Sequence, residues 1–223
     1  VSTTRWTVAA AVAAAAAFLL FPVLRPWPDE TVATAELAAA FASDRWVLAH
    51  LCGILGLGLL APALLGVRTL LVRRDPDTRP GSDARPGQRA ATAAVVSAWV
   101  GAGLSALYFG AETFGVRTVA EAALRDGDLG LLAEVEALRL EPAAVALFGA
   151  GLLLVAAAGV LVAVALWRAG ASPRWVGIPL ALGLVTLLPQ FWGGPGLRIA
   201  HGVLLAAGTL LLGWAAARLS SER

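Results

Sequence analysis

Long apolar runs without a formal charge alternate along this chain with short charged segments, and the alternation predicts its elements. Residues 90–111 form a run of 22 such residues that stops against Glu112. Wound as a helix at about 1.5 Å per residue, that run crosses a hydrocarbon core of about 30 Å. Residues 46–67 and 143–167 repeat the pattern, 197–217 does so apart from Arg198, and 7–24 and 175–192 are shorter, at 18 residues each. Pro179 and Pro189 fall inside the 175–192 run, which is therefore expected to be the least regular of the six. The prediction is an all-α, polytopic membrane helix bundle of six transmembrane helices in one domain covering residues 1–223.

The charged segments carry their own patterns. Residues 30–41 read as a small amphipathic piece of the first connection. Residues 113–142 show a helical apolar period through Val116, Val119, Ala120, Ala123 and Leu124, a break at Gly127 and Asp128, and a second period through Leu131, Leu132, Val135 and Leu138. These are expected to be short amphipathic helices lying on the membrane surface. Residues 68–89 hold six Arg, three Asp and three Pro and read as a solvated loop.

Arginine placement orients the bundle. With the N-terminus inside, eleven of the 17 basic residues fall on the cytoplasmic side and six on the outer side, so the expected topology is N-in, C-in. The rival reading of the first run is a signal peptide, since Ala33-Thr34-Ala35 matches an A-x-A cleavage site. That site stands well beyond the end of the apolar run, so 7–24 is read as a membrane helix.

Composition sharpens the class. At 59% hydrophobic, 14% charged and a mean hydropathy of +0.78, the chain has too little polar surface for a water-soluble domain. Every basic residue is Arg, and Lys, Asn and Met are missing, a bias that suggests a GC-rich bacterial genome. The expected location is therefore a bacterial inner (plasma) membrane, with the lipid bilayer as partner. No basic stripe with interleaved aromatics appears, so nucleic acid is not an expected partner. A single cysteine, Cys52, leaves no intrachain disulfide to form.

Candidate chemistry gathers at one end of the bundle. In the N-in topology His50 lies four residues inside the outer end of the second span, His201 four residues inside that of the sixth, and Glu112 at that of the third. An ionisable side chain in a membrane span is a functional-site hypothesis in its own right. Tyr108 precedes Glu112 by four residues and Arg198 precedes His201 by three, so each pair shares a helix face. Gln190 and Trp192 close the fifth span at the same level. Glu112, His201, His50 and Tyr108 are the catalytic candidates, with Gln190, Trp192 and Arg198 as substrate-binding candidates, all opening toward the extracytoplasmic side.

Several readings of this set stand side by side. One is an enzyme acting on a lipid-like or isoprenoid substrate, with Glu112 as general acid or base and a histidine as partner. A variant of it makes His50, His201 and Glu112 a two-His, one-carboxylate metal set, although no local ligand spacing supports a metal. A second is a haem-binding or electron-transfer protein with His50 and His201 as ligands and Gly53, Gly56 and Gly202 giving the macrocycle room. A third is a small-solute transporter or a structural membrane protein. The bland reading makes His, Tyr and Trp interfacial anchors and Glu112 with Arg198 an ion pair tying two helices. Cofactor identity and oligomeric state have no signature in the sequence.

The stretches LYFGAETFGVRTVAE, WVLAHL and LRIAHG resemble uncharacterised six-helix integral membrane proteins of actinobacteria. The resemblance implies six helices and a bacterial inner membrane, and no activity.

Overall fold

The computed structural model describes residues 2–73, 86–171 and 173–221. Much of the arginine-rich loop expected at 68–89 lies outside them. Every element among the described residues is helical.

Each long apolar run becomes a helix bounded by its polar flanks. The first, α1 (Thr3–Leu24), is capped by Ser2, whose side chain accepts from the Arg5 amide, and tolerates Pro22 close to its end. A short α2 (Ala35–Ala42) follows, capped by Thr34, whose hydroxyl accepts from the Leu37 amide at 3.1 Å. Then come α3 (Asp44–Arg73) and α4 (Pro86–Gly110). The chain next widens into one π-helical stretch, Ala111–Gly115, and continues as α5 (Val116–Asp126), so that residues 87–126 form one unbroken helical path. Gly127 ends it in the left-handed region at φ +68°, a conformation a side chain would resist. A 3-10 turn (Leu129–Leu132) leads into α6 (Ala133–Arg139), then α7 (Pro142–Arg168) with Pro142 in its first turn. After a second 3-10 turn (Arg174–Gly177) come α8 (Ile178–Val185), a third 3-10 turn (Pro189–Trp192) and α9 (Pro195–Ser221).

Five helical stretches are long and apolar enough to cross a membrane: Thr3–Leu24, Asp44–Arg73, Gly87–Asp126, Pro142–Arg168 and Pro195–Ser221. They contain the predicted runs 7–24, 46–67, 90–111, 143–167 and 197–217. The predicted 175–192 span differs. Its continuous helical part, Arg174–Val185, is 12 residues, about 18 Å, and falls short of a hydrocarbon core. Pro189 has no amide to extend the helix, and the Thr186 side chain and backbone both bond back to Leu182.

Neighbour relations close a ring in the order α1, α3, α4, α7, α8, α9 and back to α1. The tightest crossing is between α4 and α7. A Cβ added to Gly151 would lie 2.9 Å from the Gly101 carbonyl, so the two backbones touch because neither residue has a side chain. The interior is Ala, Leu and Val, and the outside is also apolar: Leu55, Trp99, Leu107, Leu153, Leu182 and Leu210 are exposed. A surface of that kind suits lipid rather than water.

The expected short helices form in the connections at 25–45 and 113–142, and they pack on one another. Val116, Ala120 and Ala123 on α5 are buried against Leu37, Ala38 and Phe41 of α2, Trp46 of α3 and Leu132 and Val135. The amphipathic faces cover one another and build a small cap with its own core.

Candidate functional site

A cavity of about 690 Å³ lies at one end of the ring, bordered by Arg139 at the end of α6. Its wall is built from the ends of helices. Arg25 follows α1 directly, and its guanidinium lies between the rings of Trp27 and Trp46, 4.4 and 4.7 Å from their centroids. Its Nη2 donates to Glu30 Oε1 at 2.7 Å. The other oxygen of Glu30 accepts from Arg139 Nη1 at 2.8 Å. Arg139, the last residue of α6, turns the rest of its fork on Glu112, with Nε to Oε1 at 2.7 Å and Nη2 to Oε2 at 3.3 Å. Arg25, Glu30, Arg139 and Glu112 thus form one chain of alternating charge, drawn from three separate parts of the sequence.

Glu112 is reachable because of the π stretch. A wider turn at 111–115 changes the angular register between α4 and α5. Trp46 Nε1 donates to the Glu112 backbone carbonyl at 2.8 Å, and the Trp46 carbonyl accepts from His50 Nδ1 at 2.8 Å. Because a carbonyl only accepts, this bond assigns the proton of the neutral His50 ring to Nδ1 and leaves Nε2 as the lone pair. His50 is only 3% exposed, wedged among Phe21, Trp46 and Phe109, and its ring forms part of the cavity wall. Tyr108 stacks on Phe148 and donates its hydroxyl to the Arg139 carbonyl at 3.3 Å.

Burial alone would raise the Glu30 carboxyl, but Arg25 and Arg139 outweigh it and hold the group below its ordinary value. Arg139 is partly desolvated, which works against its charge, yet Glu112 and Glu30 push its guanidinium above the usual range.

Of the sequence candidates, His50, Tyr108, Glu112, Trp192 and Arg198 line this cavity, with Trp192 80% exposed at its rim. Gln190 and His201 do not. They line a narrower crevice beneath it, together with Phe18, Gly53, Leu57, Leu152, Leu187 and Leu205. The two spaces adjoin, since Phe21, Trp27, Phe109, Phe191 and Arg198 border both. His201 Nε2 lies 2.8 Å from the Gly183 carbonyl, which makes it the opposite tautomer from His50. The metal set of His50, His201 and Glu112 is not assembled: among the described residues no three His, Cys, Asp or Glu side chains come together as a metal site. Nor does Arg198 pair with Glu112. Its guanidinium donates to the carbonyls of Gly193 (3.0 Å) and Phe191, and Arg139 takes the carboxylate.

Arg25, Trp27, Glu30, Trp46 and Arg139 are missing from the candidates read in the sequence. Arg25 and Arg139 had a usable signal, for each stands at the edge of an apolar run, Arg139 between Leu138 and Leu140 just ahead of Pro142. What hid them was their place in segments read as loop and surface helix.

An apolar exterior around a ring of long apolar helices, with a charged and aromatic cavity at one end, defines a multi-pass helical membrane protein. No protein family matches the chain, and no curated protein or solved structure matches it.

Proposed function

We propose that this is a bacterial plasma-membrane enzyme that crosses the bilayer six times with both termini inside, and that its outward-facing cavity takes a lipid-like substrate. The observation that carries the reading is the joining of two unlike spaces, a charged mouth and an apolar crevice, across a shared border of aromatic residues. The mouth, about 690 Å³, has room for a polar head and the first part of a hydrocarbon chain, and the crevice, about 30 Å³ as it stands, would have to widen for the chain to continue. The short fifth segment supports a route for entry. Between α7 and α9 the wall near the mouth is turn and 3-10 helix rather than α-helix, and Val145, Leu188 and Trp192 form an exposed apolar rim on the cavity.

Within this reading His50 is the acid–base residue. Its Nδ1 is anchored on a backbone carbonyl, which orients the ring and fixes Nε2 as a proton acceptor. Glu112 is held at both oxygens by Arg139, so its part is to brace the wall rather than to exchange protons. The haem reading is less well supported, because His50 and His201 border different spaces and His201 Nε2 is already bonded to Gly183.

The test is protein purified in mild detergent and incubated with a total lipid extract of its host, followed by mass spectrometry. Wild type is expected to carry a co-purified amphiphile and to convert one lipid species. His50→Gln should keep the bound amphiphile and lose the conversion. Gly53→Leu, which puts bulk into the crevice where Phe21 and Phe109 lie 3.5–3.7 Å from the added Cβ, should lose both. A wild type that binds an amphiphile but changes nothing in the extract would reduce the reading to a binding or transport protein, and one that binds none would end it.

A further inference from the structure

The cavity contains one cation that the ion-pair network does not use. Arg25 and Arg139 are matched by Glu30 and Glu112, through contacts of 2.7–2.8 Å. Asp29, the remaining carboxylate on the wall, is exposed and turned to Thr31, whose amide and hydroxyl it accepts at 2.9 and 2.6 Å. Arg198 is different. Among the described residues no carboxylate lies within ion-pairing distance of it, and its Nε and Nη2 are spent on backbone carbonyls, leaving Nη1 free. Its guanidinium lies 5.1 Å from the Trp27 ring centroid and 5.5 Å from that of Phe191, which fix its plane without neutralising its charge.

Position gives this charge a meaning. Arg198 borders both the mouth and the crevice, and it sits in the first turn of α9, where the positive end of the helix dipole adds to it. A half-buried arginine with spare donors at the join between a polar and an apolar space is placed to hold an anionic group attached to a hydrocarbon chain. We propose that the occupant of the cavity is an anionic amphiphile whose phosphate or carboxylate head is held by Arg198 while its chain lies along the apolar part of the cavity wall, Phe109, Val145, Phe148 and Leu188. This deepens, and rests on, the reading of the cavity as a lipid-like site.

Binding is measured by native mass spectrometry on the full chain in neutral detergent, with four probes: phosphatidylglycerol, oleate, diacylglycerol and inorganic phosphate. Wild type is expected to bind phosphatidylglycerol or oleate at least tenfold more tightly than diacylglycerol, and which of the two is preferred identifies the head as phosphate or carboxylate. Arg198→Gln should lose that preference while still binding diacylglycerol. Arg198→Lys, which keeps the charge and gives up the fixed fork, should retain most of it and so exclude a collapsed fold as the cause. Equal binding of diacylglycerol and the anionic lipids by wild type, or an unchanged preference in Arg198→Gln, would overturn the assignment of the head while leaving the lipid-like site intact. Inorganic phosphate competing as well as the lipids would overturn the role of the chain. Failure of all three amphiphiles to bind would remove the lipid-like site itself.

Discussion

At the residue scale, Glu112 shows how far a sequence can be read and where it stops. Its cost in an apolar setting marks it as important, and the level it shares with His50 and His201 follows from run lengths alone. Its partner does not. Arg198 is as plausible a partner from the sequence as Arg139, and only the folding of α6 back over the mouth decides between them. The pairing makes Glu112→Gln a stability variant. Removing one member of a largely buried pair strands the other, so Glu112→Gln and Arg139→Gln should each cost about 3 kcal/mol, with the double variant costing much less than their sum. Chemical denaturation in detergent of all four forms measures it. Glu30 adds a pH dependence with a definite sign. Its folded carboxyl titrates below the ordinary value of 4.5, so the stability it contributes is complete above that pH and is lost as the pH falls through the lowered value. The gap in melting temperature between wild type and Glu30→Gln should therefore be widest near neutrality and close as the medium is acidified below pH 4.5.

At the element scale, the five long helices follow directly from charge-free length, because a run of 20 or so apolar residues has few alternatives to a helix in lipid. The fifth run was legible as irregular from its two prolines, but not the extent to which it shortens. The amphipathic segments were legible as short helices, but not that they cover one another. An apolar stripe records that something covers it, and a neighbouring stripe serves as well as a membrane surface. The π stretch has no signature in AETFG, since it depends on what α5 must dock against. Glycine spacing makes the firmest element-scale prediction. At Gly151 an added Cβ would meet Ser105 Oγ and the Gly101 carbonyl at 2.6 and 2.9 Å, whereas at Gly149 nothing lies within 4 Å. Gly151→Val should destabilise the α4–α7 crossing by about 2 kcal/mol, and Gly149→Val should leave the melting temperature unchanged or slightly raised.

At the scale of the whole molecule, the membrane class was legible from composition and periodicity, but the number of crossings turns on the short fifth segment. Six crossings place both termini on one face. Cysteines introduced at Ser2, Glu134 and Ser221, each in a Cys52→Ala background, separate the possibilities. With a membrane-impermeant maleimide on intact cells, only Glu134→Cys should react, and the other two should react after permeabilisation. Labelling of Ser2→Cys and Ser221→Cys on opposite sides would require an odd number of crossings and overturn the topology.

The ion-pair chain also sets an order of events in synthesis. Glu30 and Arg139 are 109 residues apart, and Arg139 is the link between Glu30 and Glu112. A nascent chain that has placed its first three apolar runs still carries Arg25, Glu30 and Glu112 with the central cation unmade. The wall of the cavity cannot close until α6 has emerged, 27 residues after Glu112, so the carboxylate enters its helix before its cation exists.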